Sequence, residues 1–397
     1  MPTSTSSLQT DTIRINELID GLLANHDPGG DRFEFMGAQF DAGLAWVRFP
    51  VGKGGLGLAP QLQDVIDRRL DAITEHRPSF FHLIGHGMGA PMLVTHGTQE
   101  QQAARLRPLF TGEDIWCQLF SEPGAGSDVA GLSSRAVRDG DQWVVNGQKV
   151  WTTVAHVAKW GMLVARTDPD TPKHRGMTYF LMDMKAPGVE IRPLRQITGE
   201  AEFNEVYLTD HRIPDSMRIG DVGDGWRVAL TTLMNERVAI GGAIEPRNSG
   251  AIGELLDVWR DRKTVGSRDA LMKLWSQAEA ARLTNIRAYQ NRTSGTPGPE
   301  GATGKLIYAD LNKKIFEMAT DLLGPNAMLY DDYSFVIPEG ARERDRDPRR
   351  RFLRSRANSI EGGTSEIMKN IMGERVLGLP GEPRVDKDLP WKDVPRG

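Results

Sequence analysis

Leu119-Phe120-Ser121-Glu122-Pro123-Gly124-Ala125-Gly126-Ser127-Asp128 and, further on, Asn146-Gly147-Gln148-Lys149-Val150-Trp151-Thr152-Thr153 are the two segments on which the reading of this chain turns. The first is a loop of small residues, hydroxyls and backbone donors. Such a loop brings several N–H groups close to an anion or a flat ring. The second reads as a tight turn at Asn146-Gly147 leading into a strand that carries Trp151, Thr152 and Thr153. Taken alone, the loop is equally a plain turn, and Trp151 equally a strand residue packed in a core.

Around these segments the pattern is that of strands. Asp139-Gly140 separates the alternating runs 134–138 and 142–145, and Asp-Gly between such runs is a hairpin signal. Further strand-like runs follow at 161–166, 177–184, 189–194 and 203–208. Before residue 112 the apolar spacing is helical, as at 12–25 and in Leu62, Val65, Ile66, Leu70 and Ile73. After Gly225 it is helical again, with Trp226, Leu230, Met234 and Val238 on one row, long helices over 269–292 and 303–323, and a last one starting near Thr364. Helix, sheet, helix gives an α+β multidomain fold: a helical domain over 1–116, an antiparallel β-barrel-like domain over 117–220 and a helical domain over 221–397.

Composition excludes several classes. The 397 residues have 39% hydrophobic and 26% charged residues and a formal net charge of -4, which gives no reason to expect a nucleic acid or a membrane as partner. Cys117 is the only cysteine, so no intrachain disulfide or cysteine-held metal forms, and a reducing cytoplasm fits. Residues 1–11 lack the basic start and apolar centre of a secretory signal, and no apolar run reaches the roughly 18 residues of a membrane span. Residues 341–356 hold eight arginines interleaved with Glu343, Asp345 and Asp347, and read as a solvated loop.

The two opening segments resemble the flavin-loop signatures of acyl-CoA dehydrogenases. The likeness continues through Gly188-Val189, Glu205-Val206, His211-Arg212-Ile213-Pro214, Asn235-Glu236-Arg237, Asp261-Arg262-Lys263-Thr264 and Glu361-Gly362-Gly363-Thr364-Ser365-Glu366-Ile367. It implies a C-terminal four-helix bundle and a non-covalent FAD at the interface of a homodimer or homotetramer. The flavin contacts it implies are Phe120, Ser121, Gly126, Ser127, Trp151, Thr152 and Thr153, with Trp151 over one ring face. Arg262 and Thr264 match positions that hold the phosphates and the adenosine half, and Asp321, Gly324, Thr364 and Glu366 match further cofactor-binding positions. Thr364 also stands where a helix N-cap belongs. Ser127, Arg237 and Gly362 match positions that meet the acyl-CoA.

Desaturating a thioester requires a carboxylate to take the α-proton, in a pocket dry enough to make it basic. The family's usual position for that glutamate, directly before Gly-Thr, is Gly362 here; Glu361 lies one residue earlier. Branched-chain and long-chain members place the base on a helix directly before an arginine, which Glu236-Arg237 matches. Glu236 shares a helical row with Ala229, Leu233 and Ile240 and has no basic residue three or four positions away. The expected catalyst is therefore Glu236, with Glu361 as the alternative. The expected activity is α,β-desaturation of an acyl-CoA to a trans-2-enoyl-CoA, with electrons passed to an electron-transfer flavoprotein. The vacant Gly362 keeps open a non-catalytic flavin-holding subunit, and an acyl-CoA oxidase is the other alternative.

Overall fold

The computed structural model describes residues 5–76, 78–241, 244–262, 266–292, 300–330, 334–336, 346–384 and 386–395. The N-terminal helices are α1 (Thr5–Asn25), α2 (Arg32–Asp41), α3 (Gln63–Asp71), α4 (Ala90–His96) and α5 (Gln99–Thr111). Ile15, Ile19, Phe35, Leu62, Ile66 and Leu70 form one buried cluster there, which is the row the sequence spacing marks. α5 opens with a capping box in which Thr98 accepts from the Gln101 amide.

Eight strands follow: β1 (Trp116–Leu119), β2 (Arg135–Asp139), β3 (Gln142–Thr153), β4 (Trp160–Arg166), β5 (Met177–Asp183), β6 (Val189–Pro193), β7 (Phe203–Pro214) and β8 (Arg218–Ile219). They form one sheet in the order β6-β7-β3-β2-β4-β5-β8, with β1 beside β4. β2 and β3 pair across the Asp139-Gly140 hairpin as the dipeptide predicts. The sheet is not wholly antiparallel: β1 runs parallel to β4, and β2 meets β4 in parallel at Arg135 and Arg166. The chain leaves β1, makes the β2–β3 hairpin and returns, so β1 and β4 point the same way.

Asn146-Gly147 differs from the expected turn. It lies inside β3, at a register shift against β7. A Cβ on Gly147 would come within 2.2 Å of the Ser134 hydroxyl oxygen, and the Asn146 amide donates to Asp210 on β7. Glycine here answers a close approach at a bulge.

The C-terminal helices are α6 (Gly225–Gly241), α7 (Gly250–Asp261), α8 (Ser267–Arg292), α9 (Glu300–Leu323), α10 (Pro348–Ser355) and α11 (Ser365–Ile371). Leu255, Leu271, Leu311, Ile315, Phe316 and Ala319 make their shared core. Packing divides the chain into two units. One holds residues 1–192, 203–232 and 386–397; the other holds 193–202 and 233–385. The three-way division by element type thus describes helix and strand content, while contacts join the N-terminal helices to the sheet.

The described part of the arginine-rich segment is not a solvated loop. Residues 341–345 lie outside the described part, but 348–355 form α10, whose guanidinia alternate toward buried acids. Arg350 is buried in a bidentate pair with Glu200, and Arg354 reaches Glu202 and Glu361. Arginines four apart share a helix face, and the 193–202 segment supplies two acids to it.

Candidate functional site

In the sheet-containing unit the opening segments are stapled together. Glu122 and Ala125 close a tight turn through reciprocal backbone bonds, and the Val150 amide donates to the Ser121 carbonyl at 2.9 Å. The Glu122 carboxylate lies beneath this turn. It accepts from the Ser133 and Ser134 amides at 2.6 and 2.9 Å and from Lys149 Nζ at 2.8 Å. Lys149 is fully buried and also donates to the Phe120 carbonyl at 3.0 Å. Burial pushes the Glu122 carboxyl upward, but Lys149 and the amides outweigh it and hold it below the usual carboxylate range.

This staple presents the end of β3 in an unusual backbone. Trp151 and Val154 have φ of 60° and 55°, a left-handed conformation that bulky residues seldom adopt. Trp151 sits at a second register shift, leans edge-on to Phe203, and is 59% exposed. It is not a packed core residue. Thr152 is buried, and its hydroxyl has no hydrogen-bond partner among the described residues. Asn204 fixes the backbone there by donating to the Thr152 carbonyl.

Of the other residues expected to hold a flavin, Ser121 and Thr153 are half-buried and Gly126 and Ser127 are exposed. A Cβ on Gly126 would meet nothing within 4 Å, so its backbone faces open space. The Phe120 side chain points into the core, edge-on to Tyr179, which leaves its backbone as the part able to meet a ligand. A bare indole on a strained bulge, an orphan buried hydroxyl and an open glycine loop fit a flat polar-edged ring such as FAD's.

The helical unit holds the candidate bases. Glu361 is tied on both oxygens: Arg354 donates to Oε1 and Oε2 at 3.0 and 2.9 Å, and the Asn358 amide donates to Oε1 at 2.7 Å. Burial works against the Arg354 charge, yet Glu361 and Glu202 hold its guanidinium above the ordinary range. Glu236 is half-buried on α6, one turn after the fully buried Thr232. The Arg237 side chain and Thr264 lie outside the described residues.

Gly362 and Gly363 follow with φ of 62° and 94°, and a Cβ on Gly363 would meet the Met368 methyl at 2.5 Å. Thr364 then caps α11, accepting from the Ile367 amide at 3.3 Å. The neighbouring Ser365 hydroxyl is buried without a partner among the described residues. Glu366 is exposed on the first turn of α11. Arg262 ends α7, and Asp321 and Gly324 lie where α9 ends; all three are exposed, away from the Glu361 cluster in sequence and element.

Four supporting residues escaped the sequence reading: Lys149 with Glu122, Asn204, and Lys305. Lys305 had a visible signal. It stands on the buried face of α9 between Ala302 and Ala309, where an apolar residue is the rule.

The acyl-CoA dehydrogenase middle-domain family matches residues 117–211, and the acyl-CoA dehydrogenase C-terminal-domain family matches residues 223–377. The acyl-CoA dehydrogenase IpdE1 of Mycobacterium tuberculosis is 35% identical over 356 residues, covering 86% of each chain. Acyl-CoA dehydrogenase FadE34 of the same organism is 41% identical over 350 residues, which is 86% of this chain but 46% of FadE34. This chain therefore spans about half the length of that relative. A solved variant of the Tcur3481-Tcur3483 steroid ACAD is 25% identical, with a TM-score of 0.70 over 93% of this chain and 100% of that one. The chain belongs to the acyl-CoA dehydrogenase family, whose members bind FAD.

Proposed function

We propose that this acyl-CoA dehydrogenase uses Glu236 as its base and acts on a thioester with a bulky, polycyclic acyl part. The carrying observation is that both oxygens of Glu361 are already engaged. Glu361 has Arg354 and Asn358 on its oxygens; Glu236 is a half-buried glutamate on the apolar side of α6. A carboxylate engaged on both oxygens by a guanidinium and an amide is not free to approach a substrate's α-carbon.

The chain's own residues divide the work. Ser121, Gly126, Ser127, Trp151, Thr152 and Thr153 would hold the flavin ring; by resemblance Thr364 and Glu366 are further cofactor contacts, as are Asp321 and Gly324. Arg262 is assigned to the adenosine half. FAD, when bound, accepts the β-hydride. Glu236 takes the α-proton onto a carboxylate oxygen as the α-carbon's C–H bond breaks and the trans-2 double bond forms. The backbone N–H groups at the Gly362 turn stabilise the charge that develops on the thioester oxygen.

Glu236→Gln is expected to purify yellow, with unchanged flavin content, and to lose turnover by about three orders of magnitude. An active Glu236→Gln beside a dead Glu361→Gln would reverse the assignment.

The substrate reading is supported by the base's position on the helix and by the steroid ACAD among the structural relatives. Anaerobic bleaching of the yellow protein with straight, branched and polycyclic side-chain thioesters tests it; fastest bleaching by a straight chain would exclude it. The physiological acceptor is an electron-transfer flavoprotein, and peroxide release under air at the rate of turnover would point to an oxidase instead.

The working assembly is an oligomer, a homodimer or homotetramer or a pairing with a second acyl-CoA dehydrogenase chain. The two-component name of the steroid ACAD among the solved relatives supports the mixed pairing. A colourless product from this chain alone, turning yellow with a partner, would establish it. The compartment is assigned as the reducing cytoplasm; no described helix is long and apolar enough to cross a membrane.

A further inference from the structure

We infer that Lys305 is a positioning residue of the desaturation: its ammonium clamps the Gly362–Gly363 turn and sets a positive charge against the Glu236 carboxylate. This rests on the assignment of Glu236 as the base. Lys305 is fully buried on α9 and donates to the Gly363 carbonyl at 2.6 Å and to the Asn358 carbonyl at 2.7 Å. Both acceptors are neutral. A buried ammonium is costly, and neutral acceptors alone do not offset that cost, whereas a methionine would fill the same row between Ala302 and Ala309 without it.

What the two bonds do is specific. Gly362 and Gly363 are both left-handed, and a pair of left-handed residues has no regular ladder to hold it. One side of the turn is tied by Glu361 to Arg354 and Asn358; the other is tied by Lys305 through the Gly363 carbonyl. With its carbonyl fixed, the Gly363–Thr364 peptide plane that closes the turn is fixed, and so is the aim of the Thr364 N–H.

The charge has a second role. The groups that act on Lys305 are Glu361 from the loop, Glu236 from α6, and Lys313 and Asp310 from α9 itself. Arg354 stands behind Glu361 and offsets its charge, and Tyr308 lies near that pair. Burial draws Lys305 below the ordinary lysine range, and the two glutamates oppose it. The charge on Lys305 acts on Glu236 as Glu236 acts on Lys305, and attracts its carboxylate.

The experiment compares flavin-loaded Lys305→Gln and Lys305→Met with the parent enzyme over pH. Glutamine keeps a donor and loses the charge. The acid limb of kcat/KM is expected to move up by about one pH unit, with the rate recovering to within a few-fold at high pH. Methionine loses both, so the same displacement should come with a further loss of about tenfold or more in kcat that high pH does not restore. KM for the thioester should change little.

An unmoved acid limb in Lys305→Gln at full flavin content overturns the charge role. Full kcat in Lys305→Met overturns the clamp. If methionine prevents folding, the glutamine variant decides alone, because a merely structural lysine would lower the rate equally at every pH. Glu236→Gln measured alongside separates the two assignments. If it is active, the base reading falls and takes this role with it; if it is dead while the Lys305 variants keep the parent profile, only the Lys305 role falls.

Discussion

The Glu361 carboxylate is held on both oxygens. Glu361 is a strut: Arg354 and Asn358 use it to fix the entry to the Gly362–Gly363 turn. Replacing it by glutamine removes charge and keeps shape, and Arg354 retains Glu202. Glu361→Gln is therefore expected to lower stability by about 1–3 kcal/mol in urea unfolding, while turnover stays within about tenfold of the parent. A complete loss of turnover with unchanged stability would restore Glu361 as the base. From sequence Glu236 and Glu361 could be ranked by helical row and by the vacancy at Gly362. The bidentate lock on Glu361 could not be read, because Arg354 looked like one member of a charged loop.

Among the elements, the joint between the Phe120–Asp128 loop and β3 is the most consequential. It depends on the Glu122–Lys149 pair under the turn, both partners enclosed. Lys149→Met would leave a buried carboxylate without its cation, and a loss of about 3–5 kcal/mol is expected in thermal or urea unfolding, with weaker flavin retention. The Glu122 carboxyl is held below its ordinary range in the folded chain, so its contribution is full above the unfolded carboxylate value and fades as pH falls through the lower, folded one. Lys149→Met should lose that acid sensitivity.

Strands were legible where alternation and Asp-Gly agreed, as in the β2–β3 hairpin. Asn146-Gly147 was not, because a turn and a bulge facing a close neighbour ask for the same glycine. The parallel β1–β4 pairing, and the ion pairs that order α10, join residues too distant in sequence for any local pattern to reveal.

For the whole molecule, a pair of histidines between N-terminal helices predicts a response to acid. Burial, aided by Arg32, lowers His82 to about 4; burial, aided by His82, lowers His86 to about 3. His86 stacks on Phe110 and bonds the Leu109 and Phe110 carbonyls. Between the ordinary value of 6.5 and these lowered values, the unfolded chain binds protons that the folded chain does not, so stability rises with pH across that window. The melting temperature should be level above about pH 7 and fall by several degrees toward pH 4.5. A His82→Phe, His86→Phe variant that folds should flatten that slope; an unchanged slope would place the acid sensitivity elsewhere.

Trp151 has an optical consequence. Trp116, Trp143 and Trp160 are sealed in the interior, while the Trp151 indole stands in water on its bulge. Trp46, Trp226, Trp259, Trp275 and Trp391 are part-buried, so the flavin-free chain should carry in Trp151 its most red-shifted and acrylamide-open emitter. A ring laid on that indole would darken it selectively. Titration with FAD should remove the red edge of the emission first, and Trp151→Phe should abolish that component while leaving the blue one, which gives a binding isotherm that requires no substrate and no turnover.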